Sequence, residues 1–311
     1  MTKVRAVVTR AHAKINLGLN VLGVRRDGFH ELRTVFQSLE MHDTMTCVAV
    51  KGPFRLYCNT GAEGVPLDAG NLVWRAATGL WESVGGEGEL RDVSIFLEKT
   101  IPVGSGLGGG SSDAAATLRA LARFWGLEPR KAMLSEVAAT LGADVPFFLH
   151  GGTASARGRG DEIVPLRDAP RRWVVLLIPP FRVSTVDAYR WFDADADDAE
   201  GASRCAGPAR GSVSPADVTN DLESVVARRH PEILELKAAL QKNGAVSTAM
   251  SGSGSAVYGL YRGRRAAEAA CRALSVSTWR VELTRTLGRR EYARRAAARL
   301  AVRLPRRARI G

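Results

Sequence analysis

The residues best placed to do chemistry lie in one glycine-rich stretch, 101–116, which reads I-P-V-G-S-G-L-G-G-G-S-S-D-A-A-A. Glycines that turn tightly and then open a helix aim free backbone N–H groups, and the positive end of the helix dipole, at one point. That is a phosphate site. Three kinds of glycine loop compete for the stretch. Gly104, Gly106 and Gly109 satisfy G-x-G-x-x-G, but a dinucleotide fold also wants an acidic residue ending the next strand ~20 residues on, and Glu128 falls in the turn after the helix. A Walker loop needs Gly-Lys-Ser/Thr, whereas Gly110 is followed by Ser111. A protein kinase needs its own downstream lysine segment and its H-R-D segment, and neither segment is present. A plain Gly/Ser linker is the bland alternative. The flanks argue against it: Val93, Ile95 and Leu97 alternate as in a strand, and Leu118, Leu121, Ala122 and Trp125 recur at helical spacing.

What survives, P-x-G-x-G-L-G-G-G-S-S-D-A, resembles the second motif of the galacto-, homoserine, mevalonate and phosphomevalonate kinases. Other stretches resemble the same superfamily, in order. They are A-K-I-N-L-G-L at 13–19, R-R-D-G-F-H-E-L at 25–32, G-A-D-V-P-F-F at 142–148, N-D-L-E at 220–223 and S-G-S-G-S-A-V-Y at 251–258. Together, over residues 8–287, they resemble one branch, the 4-diphosphocytidyl-2-C-methyl-D-erythritol kinases of the non-mevalonate isoprenoid pathway.

The resemblance implies an α+β fold in two domains, the first like ribosomal S5 domain 2 and the second ferredoxin-like. It implies ATP-dependent phosphorylation of the 2-hydroxyl of the cytidyl substrate. The triphosphate would be held by the run Pro102, Val103, Gly104, Ser105, Gly106, Leu107, Gly108, Gly109, Gly110, Ser111 and Ser112. Asn71 and Lys99 would border the nucleotide base. Magnesium is expected with ATP; no protein ligand is assigned to it, and Ser111 or Ser112 is the nearest candidate. Asp144 would be the catalytic base, and Lys14 the cation beside the acceptor hydroxyl, where it favours a developing alkoxide. Asn16, Phe29, His30, Asp144, Tyr189, Gly252 and Ser253 would hold the substrate, with Phe29 and His30 against the cytosine and Tyr189 closing its other face. Phe29 stands where the family usually has tyrosine, keeping the stacking face and losing the hydroxyl.

Taken without the resemblance, several of these residues have plainer readings. Lys14 and Asn16 fall two apart on one strand face, which alone suggests a solvated lysine. Phe29-His30 after Asp27-Gly28 is an aromatic projecting from a tight turn. Asn71 is an N-cap for the helix marked by Leu72, Ala76 and Leu80. Asp144, two residues before Pro146, suits a helix cap as well. A carboxylate kept ionised by that helix end is also able to accept a proton. In the Gly/Arg loop 151–160, Arg157 or Arg159 is placed to meet phosphate.

The elements that must position these groups follow from periodicity: strands in 4–24 and 32–58, helices after Asn71 and over 129–141, and a domain change near 166–172. The apolar run Trp173–Ile178 opens the second domain. Residues 193–215 read as a disordered surface insertion, 264–274 as a helix and 279–286 as a strand. The division is thus 1–168, 169–287 and a basic tail, 288–311. No apolar run approaches the ~18–20 residues of a membrane span, and the N-terminus has no signal-peptide core. Cys47, Cys58, Cys205 and Cys271 are scattered without a C-x-x-C, so neither disulfides nor zinc are suggested, and a cytoplasmic setting is expected. Of the net charge of +12, the tail with nine arginines and one glutamate holds +8. Tyr292, Ala296, Leu300 and Leu304 recur every four residues there, and Glu291 can pair with Arg295, as in a helix ending at Pro305. That helix would carry a narrow apolar stripe able to dock on the body; the plainer reading is a solvated appendage, a weak attachment to nucleic acid is the alternative, and none of them has a part in catalysis. The competing functions are a homoserine or mevalonate kinase, which needs no cytosine pocket, and a nucleic-acid-binding protein.

Overall fold

The computed structural model describes residues 5–59, 64–127, 131–197, 218–275 and 278–301. Two strands of 19 residues, β1 (Ala6–Val24) and β2 (His30–Val48), form the antiparallel spine of the N-terminal half. Their register shifts three times, first between His12 and Lys14. Ahead of that bulge Val7 and Ala11 face the main core, whereas after it Ala13, Ile15 and Leu17 face the second domain. Across the shift the single residue Ala13 of β1 lies opposite the three residues 39–41 of β2, an irregularity that breaks the ladder and re-aims the side chains beyond it. Lys14 and Asn16 are thereby directed to the side where the glycine stretch lies.

The remaining N-terminal strands are β3 (Arg55–Cys58), β4 (Ser94–Glu98), β5 (Thr153–Arg157) and β6 (Glu162–Pro165). Helices α1 (Leu72–Ser83), α2 (Gly109–Trp125), α3 (Lys131–Leu141) and α4 (Val145–His150) cover one face and close a core that includes Val73, Leu80, Leu118 and Phe147. The second domain has a sheet in the order β11-β7-β10-β9, from β7 (Trp173–Ile178), β9 (Ser247–Met250), β10 (Val257–Tyr261) and β11 (Arg280–Arg285). With α5 (Thr185–Asp197), α6 (Asp221–Arg229), α7 (Glu232–Lys242) and α8 (Arg264–Leu274), this is the split β-α-β pattern of the ferredoxin-like fold. The fold is α+β in two domains. A shared core joins them, with Ile15 and Leu39 of the first meeting Leu176 and Tyr258 of the second. The two-residue strand β8 (Thr219–Asn220) also pairs with β1.

The tail departs from the appendage reading. Residues 289–296 form helix α9 (Arg289–Ala296), and β12 (Arg299–Leu300) adds an edge strand to β1. Tyr292 and Ala296 are buried, and the Tyr292 hydroxyl donates to the Phe148 carbonyl at the end of α4 (2.5 Å). Arg289 donates to the carbonyls of Thr153 and Leu166. Arg285 and Arg295 share Glu40 and Glu291. Burying an aromatic and pairing its cations within the fold ties this segment to the N-terminal domain. Residues 193–197, read as the start of a disordered insertion, instead form the last part of α5; Leu304 and Pro305, and residues 198–215 of the insertion, lie outside the described residues.

Candidate active site

The glycine stretch shapes an anion site by backbone alone. Gly104, Gly106 and Gly108 lie in the left-handed region (φ 68°, 77° and 72°), where a side chain is strained. Helix α2 begins at Gly109, four residues ahead of the apolar pattern, so glycines form its first turn. Its first helical hydrogen bond runs from the Ser112 N–H to the Gly108 carbonyl (2.9 Å), leaving the N–H groups of Gly109, Gly110 and Ser111 without a helical acceptor. No side chain caps them. A Cβ on Gly106 would lie 2.0 Å from the Ser251 carbonyl oxygen, because the second glycine loop crosses there. The Ser251 hydroxyl donates to Gly106 O (3.0 Å) and Asn220 Nδ2 donates to Gly252 O (2.8 Å), fixing the two loops together.

Between the loops and helix α5 opens a cavity of about 420 Å³. Residues 102–111 line it, together with Asn71, Lys99, Lys14, Asn16, Asp144, Tyr189, Gly252 and Ser253. Four of the residues singled out in the sequence do not, among them Arg157, which is exposed at the end of β5 while Arg159 does line the cavity. Ser112 is fully buried and its hydroxyl donates to the His12 carbonyl (2.7 Å), because by its place on α2 it faces β1. Phe29 is 55% exposed at the turn, under the Arg159 guanidinium. His30 stacks on Tyr189 (centroids 4.6 Å apart, 22°) with Nε2 2.8 Å from Asp193 Oδ1. Tyr189 therefore meets His30, not Phe29, in this structure.

Lys14 sits where both loops converge. A Cβ on Gly108 would press on its Cγ at 3.0 Å and one on Gly252 on its Nζ at 3.2 Å. Its ammonium donates to Asn16 Oδ1 (2.7 Å) and lies 3.5 Å from Asp144 Oδ2. Asn16 is held in turn, donating to Thr34 Oγ1 (2.7 Å), which donates to Gly18 O (2.6 Å). Burial lowers the Lys14 pKa from the ordinary lysine value, and the charge of Asp144 only partly opposes it. Asp144 departs from the capping expectation: it precedes α4 in helical conformation and its side chain makes no cap hydrogen bond. The carboxylate is turned toward Lys14, a third exposed to the cavity. An ionised carboxylate beside a buried ammonium, next to unpaired amides, is suited to taking a proton from a hydroxyl while phosphate is held within reach.

Asn71 does cap α1, accepting from the Val73 N–H (2.8 Å) while its Nδ2 donates to Pro66 O (2.6 Å). Lys99 is held by two carboxylates that the sequence did not single out, Asp43 (2.5 Å) and Asp113 (2.7 Å). Burial by itself would lower its pKa, but the two charges outweigh burial and raise it. Asp113 is pushed well up, first by burial and then by Asp43 despite Lys99. Asp113 belongs to the motif G-G-G-S-S-D, so one partner was in view; Asp43 comes from β2 and carried no local signal. Burial also raises the Tyr189 phenol, with Asp144 adding to the effect.

No group of three His, Cys, Asp or Glu side chains among the described residues is arranged for a metal. The cavity fits a magnesium ion carried mainly by nucleotide phosphates, since such ions need only one or two protein oxygens. Ser111, on the cavity wall, and Asp144 are the oxygens on offer.

A glycine-walled anion site at a helix start, crossed by a second glycine loop and joined to a Lys–Asp pair, defines a small-molecule kinase. The GHMP kinases N terminal domain family matches residues 71–152, and the GHMP kinases C terminal family matches 211–280. A protein of Geobacter sulfurreducens, a 4-diphosphocytidyl-2-C-methyl-D-erythritol kinase by name, is 38% identical over 91% of this chain and 100% of its own. Its namesake from Pelotomaculum thermopropionicum is 43% identical over 82% of this chain and 88% of its own. The crystal structure of a 4-(cytidine 5'-diphospho)-2C-methyl-D-erythritol kinase superposes with a TM-score of 0.72 at 36% identity, over 90% of this chain and 99% of that one. The chain belongs to the 4-diphosphocytidyl-2-C-methyl-D-erythritol kinase family of the GHMP kinases.

Proposed function

We propose that the chain transfers the γ-phosphoryl group of ATP to the 2-hydroxyl of 4-diphosphocytidyl-2-C-methyl-D-erythritol, a step of the non-mevalonate isoprenoid pathway. The observation that carries this reading is the Lys14–Asp144 pair, 3.5 Å apart, at the crossing of the two glycine loops. The amides of the Gly104–Ser111 run hold the triphosphate, while Asn71 and Lys99 border the base. Asp144 accepts the proton of the acceptor hydroxyl, and Lys14, oriented by Asn16, supports the alkoxide. The oxygen then attacks the γ-phosphorus in line, its new P–O bond forming as the bond to the β-bridging oxygen breaks and ADP leaves. Ser111 would help hold a magnesium ion brought with ATP, and that ion would supply charge neutralisation on the β- and γ-phosphates. Gly252 and Ser253 close over the transferring group, and His30 with Tyr189 offers stacked rings for the cytosine. The free thiols of Cys47, Cys58 and Cys271 are in keeping with a cytoplasmic setting.

The test is a phosphate-transfer assay with ATP and magnesium, comparing the cytidyl substrate with mevalonate and homoserine. Preference for the cytidyl substrate is expected. Equal or faster transfer to mevalonate or homoserine would overturn the assignment.

A further inference from the structure

Arg159 lines the cavity but has no part in the chemistry above. It lies in the turn after β5, between Gly158 and Gly160, both in the left-handed region (φ 66° and 99°). Its Nε and Nη2 donate to the same oxygen of Asp161, at 3.2 and 2.9 Å. Its guanidinium lies over the Phe29 ring, 5.2 Å from the centroid. A guanidinium carries five N–H donors in a planar fork; Asp161 engages two, and among the described residues none accepts from Nη1. The other two cations of the cavity wall are committed, Lys14 to Asn16 and Asp144, Lys99 to Asp43 and Asp113.

The position of Arg159 along the cavity matters as much as its donors. Gly160 packs beside Ala143, the neighbour of Asp144, since a Cβ there would lie 3.9 Å from the Ala143 Cβ. On its other side Arg159 covers Phe29, which the chain follows directly with His30, stacked on Tyr189. Arg159 thus stands on the cavity wall between the neighbour of Asp144 and the Phe29–His30 turn, whose histidine stacks on Tyr189. An acceptor that matches this placement has a hydroxyl at one end, phosphate in the middle and a base at the other. The exposed Phe29 finds a use here: its face supports the guanidinium by a cation–π contact that needs no hydroxyl.

We propose that Arg159, oriented by Asp161 and Phe29, binds the diphosphate of a nucleoside-diphosphate acceptor and so sets the enzyme's preference for such acceptors. This rests on the function proposed above and specifies which group recognises the middle of the substrate. The test is binding of CDP and of cytidine to the full chain, followed by titration calorimetry, in wild type, Arg159→Gln and Arg159→Lys. Steady-state kinetics with the cytidyl substrate run alongside. Wild type is expected to bind CDP more tightly than cytidine, and Arg159→Gln to lose that advantage by about 10- to 100-fold, as for one charge-assisted hydrogen bond. Arg159→Lys should keep part of it, having the charge without the fork. The acceptor KM should rise in Arg159→Gln and the ATP KM should not. An unchanged CDP advantage, or equal rises for ATP and acceptor, would overturn the proposal. Failure of wild type to phosphorylate the cytidyl substrate would count against the proposed function, while the CDP–cytidine comparison still decides the role of Arg159.

Discussion

Lys14 and Lys99 stand on the walls of one cavity, both nearly sealed from water, with side chains 4% and 7% exposed. Their surroundings drive them in opposite directions. Lys14 faces a single carboxylate at 3.5 Å, itself a third exposed, and burial prevails, so its pKa is lowered. Lys99 touches two carboxylates, both buried, at 2.5 and 2.7 Å, and charge prevails, so its pKa is raised. Asp43 also accepts the backbone N–H of Thr100 and Ile101, so the Lys99 cluster braces the entry to the glycine stretch. A buried lysine paired twice is a structural clamp. One paired once, beside a cavity, is available for chemistry.

The largest test of this contrast is Asp144→Asn. Turnover is expected to fall ~10²–10⁴-fold, as for loss of a general base, with ATP KM nearly unchanged in steady-state assays. Near wild-type turnover would remove Asp144 from the chemistry. The pH profile carries a linked signature. Because Lys14 must stay protonated and its pKa is lowered, activity should decline on the alkaline side before the ordinary lysine range. In Asp144→Asn burial acts unopposed, so the alkaline limb of the residual activity should move further down. A limb that stays in place would mean Lys14 does not report there.

Lys99→Met should act on stability instead. Removing the cation from two buried carboxylates is expected to cost about 3–5 kcal/mol, read by urea unfolding. The sign of the pH effect follows from Asp113, whose pKa in the fold already lies above the ordinary carboxylate value. A carboxyl raised in the folded state favours folding below its ordinary pKa, and that contribution disappears as pH rises through the folded value. The variant's deficit should therefore shrink on acidification and grow toward neutral pH. A normal unfolding curve with only a raised ATP KM would leave Lys99 its contact with the nucleotide base and remove its bracing role.

Smaller effects are expected farther from the two lysines. Tyr189→Ala should weaken the cytidyl substrate by about 1–3 kcal/mol, the scale of base stacking on an aromatic ring, and leave ATP alone. Equal losses for both would point to misfolding. Tyr292→Phe removes the hydroxyl that holds the Phe148 carbonyl and should lower stability by about 0.5–1.5 kcal/mol, since Arg119 still donates to the same oxygen. An unaltered unfolding midpoint would return α9 to the status of an appendage.

How much of this was legible in the chain depends on how local each signal is. The glycine stretch, its flanking strand and helix, the Asn71 cap and the Trp173–Ile178 strand are all written within a few neighbouring residues, where spacing and backbone preference act directly. The ordered motifs were likewise legible as text, and with them the kinase family. Tertiary structure decided the rest. The bulge after His12 that turns Lys14 inward exists only in the pairing of β1 with β2. Asp144 had the sequence of a cap and became the partner of Lys14 because β1 brought an ammonium to it. Ser112 turned to the core because α2 starts early and lies on β1, and Phe29 was left outside because its turn ends beyond the cavity rim. Asp43 reached Lys99 from 56 residues away, and Tyr292 reached Phe148 from 144. Spacing along the chain specifies what a residue can do with its neighbours, but the charge, burial and partner that select one role come from strands and helices that meet only after folding.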